Sequence, residues 1–274
     1  MLTAMFVVLG QTAFAQLTNW SELFRELANP DPVVRKGGEQ KLDQLLPKLQ
    51  TLRPNDLQTE VVSMLDGLRD IDEAVRFKTA ALLTTIAMIR GDATEALKPA
   101  VPLLIPQLQS EFKQGTKRLK ENALWVIVSI RPEIPGEALE ALLDLARGED
   151  GKMAAIAVSG VGWFARTSPR ALNELIDLMG PEHAVQIRSA AVRSLEDTGL
   201  AEPVVLMRLR EILEGNGTKP QAPADDRELV RQTLRLVALL GPAAALLRPQ
   251  VEQIAVEHKH LAQEARSTLL RLGK

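Results

Sequence analysis

From Gln16 to the C-terminus, apolar residues recur three and four positions apart, as at Leu42, Leu45, Leu46 and Leu49. That period puts them on one face of a helix, so the pattern predicts helices throughout and an all-α chain. Breaks fall at regular intervals: Asn29-Pro30-Asp31-Pro32, Arg53-Pro54-Asn55, Arg131-Pro132-Glu133, Ser168-Pro169, Gly180-Pro181 and Gly241-Pro242. Proline is tolerated at a helix start, where its missing N–H would have no partner anyway. Between the breaks the pattern predicts alternating helices. The first of each pair covers about 17–28, 55–69, 94–110, 136–147, 170–179, 202–214 and 243–256. The second covers about 32–46, 72–87, 115–130, 152–165, 182–195, 225–240 and 260–272.

The second helices repeat one another. An apolar residue followed by a basic position recurs at Val34-Arg35, Val75-Arg76, Leu119-Lys120, Ile187-Arg188, Val230-Arg231 and Ala265-Arg266, with Met153-Ala154 filling the remaining place. Counting from the basic position, offset +3 carries Gly38, Thr79, Ala123, Ala157, Ala191, Leu234 and Leu269. Offset +7 carries Leu42, Leu83, Ile127, Val161, Leu195, Ala238 and Gly273. Offsets −1, +3 and +7 share a helix face. Small residues at +3 let a neighbouring helix come close, and larger ones at +7 fill the space between. The Asp31-Pro32-Val33-Val34-Arg35 run, the similar Asp72-Glu73-Ala74-Val75-Arg76, and the period of 34 to 44 residues resemble the HEAT-repeat family. The resemblance covers roughly residues 17–274, and Ala154 departs from its basic position. It implies a right-handed α-α superhelix, an α-solenoid of about seven antiparallel helix pairs. First helices would lie outside and second helices would line a concave side. A helix pair of this kind cannot bury its own apolar face and gains order by stacking on its neighbours.

The N-terminal segment departs from this pattern. Residues 1–21 carry no charge, an apolar run spans Ala4 to Leu9, and Ala13-Phe14-Ala15 supplies small residues at −3 and −1. This ending predicts an export signal over residues 1–15, cut after Ala15, with the repeat domain at 16–274. The basic residue usual before such a run is absent, which a start placed too far downstream would explain. The expectation is a bacterial protein exported to the periplasm or secreted. If residues 1–15 are retained, it is cytoplasmic. The apolar run is shorter than the roughly 20 residues that cross a bilayer, so no transmembrane helix is expected there.

Composition narrows the chemistry. Cysteine is absent, which excludes disulfides, thiol catalysis and thiolate metal sites. A net charge of −2 argues against coating nucleic acid by bulk charge. No G-x-S-x-G, H-E-x-x-H or phosphate-loop motif occurs, and the three histidines, His183, His258 and His260, have no further ligand at metal spacing. No metal and no cofactor is expected. His260 and Glu264 could make only half a metal site.

Acids gather on the predicted first helices and bases on the second. The basic concentrations are Lys113, Lys117 and Lys120, and the four-residue stripe Arg227, Arg231 and Arg235. They are the candidate binding residues, for a protein or acidic peptide along the concave face. Arg35 and Arg76 are read instead as structural partners of Asp31 and Asp72, four residues earlier. Trp20, Trp125 and Trp163 are read as packing residues, and Gly160 and Gly162 as points of close helix approach. Residues 215–224, rich in Gly and Pro, are expected to form a surface loop. Within it, Asn216-Gly217-Thr218 matches a glycosylation sequon. The functional expectation is a non-enzymatic binding scaffold. The alternative is an enzyme of this architecture, similar to bilin lyases or alkyl-base glycosylases, with an aromatic-lined carboxylate on the concave side.

Overall fold

A computed structural model describes residues 18–109, 114–130, 136–148, 150–196, 198–219 and 221–273. The proposed export signal, residues 1–15, lies outside the described residues. Secondary structure among the described residues is helical, with no strand. The contacts gather into two compact units, Met1–Ile130 and Arg131–Lys274.

The first unit contains α1 (Trp20–Ala28), α2 (Pro32–Thr51), α3 (Pro54–Met64), a 3-10 turn (Leu65–Arg69), α4 (Glu73–Ile89), α5 (Thr94–Leu97), a second 3-10 turn (Lys98–Ala100), α6 (Val101–Gln109) and α7 (Gln114–Ile130). Two differences from the sequence reading have local causes. The second helix expected to end near 46 continues through Pro47 to Thr51. The helix expected over 94–110 is split, where Pro99 and Pro102 withhold amide hydrogens. Helix starts are capped as their sequences suggest: the Asp31 carboxylate accepts from Val33 N at 2.8 Å, and Asp72 from Ala74 N at 2.8 Å. Helix α1 packs on α2 and α4, and α4 packs extensively on α7. In this unit Trp20, Phe24, Leu57, Leu83, Leu119 and Ile127 are buried.

The second unit contains α8 (Gly136–Ala146), α9 (Gly151–Phe164), α10 (Pro169–Leu178), α11 (Val185–Glu196), α12 (Pro203–Glu214), α13 (Ala224–Leu240), a 3-10 turn (Gly241–Leu247), α14 (Arg248–Glu257) and α15 (Ala262–Arg271). Consecutive helices pack together: α8 on α9, α10 on α11, α12 on α13 and α14 on α15. The second of each also packs on the next, giving the series α9, α11, α13, α15. Close approach along this series is visible at Gly162 of α9, where a β-carbon would stand 2.6 Å from Ser194 Cβ of α11. Hydroxyl side chains also bond across it. Ser194 Oγ donates to Val158 O at 3.3 Å, and Thr268 Oγ1 donates to Leu234 O at 3.1 Å. The continuous helical stretch Ala224–Glu257 is long and apolar enough to cross a bilayer by length and composition alone. More than half of its most apolar window is buried inside the protein.

The recurring basic residue does not pair as the four-residue spacing suggested. Arg35 Nη1 donates to Asn29 O at 3.2 Å and to Pro30 O at 3.4 Å, while Arg76 Nη1 donates to Asp70 O at 2.8 Å and Ile71 O at 2.9 Å. Asp31 and Asp72 are occupied as helix caps, so each arginine instead satisfies carbonyls of the turn that precedes its own helix. Arg188 does the same through Nε, at 3.2 Å from Met179 O. Charge-assisted bonds of this kind contribute about 1.5–3 kcal/mol. Arg76→Ala is therefore expected to lower stability by about 2 kcal/mol in urea unfolding. Arg76→Lys, a point donor without the fork, should recover only part of that.

Candidate functional site

In the second unit an open groove of about 600 Å3 runs between α13 and α15. Arg235 and Leu239 of α13, Glu264, Ser267 and Arg271 of α15, and Glu196 of α11 line it. Leu239 is 59% exposed, an apolar side chain held in the open beside two guanidinium groups. No aromatic side chain is among the lining residues.

The predicted stripe of Arg227, Arg231 and Arg235 is present on α13, but its members have different surroundings. Arg231 is held between two carboxylates, 3.3 Å from Glu228 and 3.4 Å from Glu264. Glu228 precedes Arg231 by three residues, a spacing that puts both on one helix face. Arg235 reaches Glu228 only at 4.0 Å, and its side chain is 63% exposed into the groove. Arg227 is half-buried, and its Nε is buried without a partner. Arg271, which sequence reasoning did not single out, completes the positive side. Its position on α15, opposite α13, was not readable from spacing within either helix.

The second predicted cluster is not a presented patch. Lys113 lies outside the described residues. Lys117 is exposed on α7, but Lys120 is only 8% exposed. Burial lowers the Lys120 pKa below the ordinary lysine value. Its backbone follows Leu119, on the face that packs inward, so the side chain is drawn into the unit rather than displayed. Trp125 also departs from expectation. It is 40% exposed, on the same stripe of α7 as Lys117 and Glu121. Trp20 is buried as expected, and Trp163 is half-buried.

The histidines occupy two places. His183 Nε2 is 3.7 Å from Glu182 and 3.9 Å from Asp177. His258 and His260 precede α15, and their rings meet edge to face at 6.2 Å. Glu264 is engaged by Arg231, not by His260. Among the described residues no three His, Asp or Glu side chains gather as a metal site. Burial is the main cause that lowers the His260 pKa from 6.5; the charges of Arg227, His258 and Arg231 add to it and Glu264 opposes it. The folded chain therefore binds the proton less readily than the unfolded chain. Stability is full above pH 6.5 and falls as pH drops through 6.5 toward the folded value. Denaturant midpoints measured across that window should fall with acid in the wild type, with a shallower slope in His260→Gln.

No family model and no curated protein matches this chain. Two solved structures of engineered proteins resemble it in fold. One has a TM-score of 0.54 at 16% identity, over 80% of this chain and 98% of its own. The other has a TM-score of 0.51 at 16% identity, over 79% and 96%. At that identity the likeness concerns fold alone.

Within the segment expected to be a surface loop, residues 216–218 are helical. Asn216–Thr218 forms a 3-10 turn that packs on α13. Thr218 is 6% exposed and its Oγ1 donates to Gly215 O at 2.9 Å. The sequon's hydroxyl is thus already engaged inside the fold.

Proposed function

We propose that the protein is a non-enzymatic HEAT-like scaffold, a right-handed α-solenoid of about seven helix pairs, that binds a protein or acidic peptide along its second-helix face after export to the periplasm. The observation that carries this reading is the α13–α15 groove, whose lining includes exposed Leu239 together with Arg235 and Arg271. An apolar anchor sharing a groove with guanidinium groups suits an extended segment with alternating apolar and acidic residues. The succession α9, α11, α13, α15 supports the solenoid, since each second helix buries its apolar face on the next. The groove gathers carboxylates with arginines and no aromatic ring, which favours binding over the base-removing or lyase alternative.

The test uses two baits in parallel, the wild-type chain and an Arg235→Glu/Arg271→Glu variant, on the native exported fraction. Partners kept by the wild type and depleted at least tenfold on the variant are expected. An identical captured set would refute the groove. Lys120 is unsuitable for such charge reversal, because its buried position would unfold the unit. N-terminal sequencing of the native protein tests export: an N-terminus at Gln16 is expected, and a retained Met1 would refute it.

A further inference from the structure

The second unit has another cavity, of about 320 Å3, that shares no lining residue with the α13–α15 groove. Its walls are the turn after α10, with Met179 and Pro181, then Arg188 of α11, Arg208 and Glu211 of α12, and Asp226 in the first turn of α13. Apolar side chains of α12 and α13 and the backbone of the 215–217 turn complete it.

The polar groups facing this space are only partly satisfied. Arg208 Nη1 is 2.7 Å from Glu211 Oε2, but its Nε is buried and has no partner. Arg188 spends Nε on Met179 O at 3.2 Å, and its η nitrogens have no acceptor among the described residues. Asp226 makes no side-chain hydrogen bond or ion pair among the described residues. Burial lowers the Arg188 pKa; Asp226 and Glu182 oppose this, while the nearby Arg208 charge adds to it. Arginine stays charged at neutral pH even so. Arg208 Nε is closed off from the cavity, but the η nitrogens of Arg188 are not, and guanidinium donors without a protein acceptor at a cavity wall are free to bond a ligand's acceptor.

The signs of the wall decide the ligand class. A simple anion would meet the two guanidinium groups but also the carboxylates of Glu211 and Asp226. A simple cation would meet the reverse. We propose that this cavity binds a small zwitterion of amino-acid size, its carboxylate held by Arg188 and Arg208 and its ammonium by Asp226 and Glu211. Planar guanidinium groups match a carboxylate through paired N–H donors, and the cavity falls at the small end of ligand pockets, roughly 300–1,000 Å3. The site is independent of the scaffold reading, because its residues lie outside the groove.

Isothermal titration of the full chain with individual L-amino acids tests it, with propionate, ethylamine and inorganic phosphate as single-charge comparisons. At least one amino acid should bind with one-to-one stoichiometry, at least tenfold tighter than each comparison compound. Arg208→Met and Asp226→Asn should each weaken it at least tenfold, while Arg235→Glu/Arg271→Glu should leave it unchanged. Circular dichroism checks that each variant folds. Asp226→Asn, a half-exposed and nearly isosteric change, carries the test if Arg208→Met does not fold. Absence of amino-acid binding to the wild type, equal binding of propionate or phosphate, or full binding by Asp226→Asn would overturn the proposal.

Discussion

Trp20→Ala is expected to cost the first unit about 3–5 kcal/mol, the usual loss for truncating a buried large aromatic side chain. Trp20 is 2% exposed and stacks on Phe24 at a centroid separation of 5.9 Å. Its indole Nε1 also donates to Glu60 Oε2 at 2.7 Å, and Glu60 is itself only 9% exposed. Removing the indole leaves that acid buried without its donor, a penalty beyond the cavity. Domains of this kind have total stabilities of about 5–15 kcal/mol, so the variant should lose much of its helix signal at low urea. Trp20→Phe keeps one ring against Phe24 but loses the N–H and part of the indole volume, and should cost less, about 1–3 kcal/mol. Urea titration followed by far-ultraviolet circular dichroism measures both. A loss under about 1 kcal/mol for Trp20→Ala would contradict this packing.

Gly67→Ala is the second large effect, and it adds atoms rather than removing them. A β-carbon there would lie 2.2 Å from Thr79 Oγ1 and 2.8 Å from Phe24 Cδ2. Neither neighbour can yield freely. Phe24 is fully buried, and Thr79 Oγ1 is committed to Val75 O at 2.9 Å. Overpacking of this kind costs about 1–3 kcal/mol, and displacing the threonine hydroxyl adds about 1 kcal/mol. A total near 3 kcal/mol is expected. Thr79→Ala removes the closest obstacle, so the double variant should be destabilised by less than the sum of the singles. Strict additivity in the same urea titrations would mean that the two residues are not in contact.

Much of the helical architecture was legible because one face repeats. The predicted triads Val75, Thr79 and Leu83; Leu119, Ala123 and Ile127; Met153, Ala157 and Val161; and Ile187, Ala191 and Leu195 are all buried. The register weakens in α2 and after α15: Val34 is 38% exposed, Leu42 half-buried and Gly273 exposed. The site was less legible. Charge runs identify cations but not whether the helix turns them inward, as it does Lys120. Four-residue spacing implies contact only inside a helix, whereas Asp31 and Asp72 stand at its cap, with their carboxylates already occupied. Trp125 could have been read correctly from its own stripe, since Lys117 and Glu121 precede it at four-residue intervals. Arg188 and Arg208 share a cavity only because α11 and α12 fold against α13, which no local spacing encodes.

In the proposed solenoid each helix pair lacks a core of its own and is ordered by its neighbours. Circular dichroism of an isolated peptide covering residues 168–198, which carries α10 and α11, is the test. These helices have 10 and 12 residues, lengths that are marginal alone in water. The peptide is expected to be largely unfolded, with no cooperative thermal transition, while the full chain melts cooperatively. A peptide that folds to helix and melts cooperatively by itself would contradict the account.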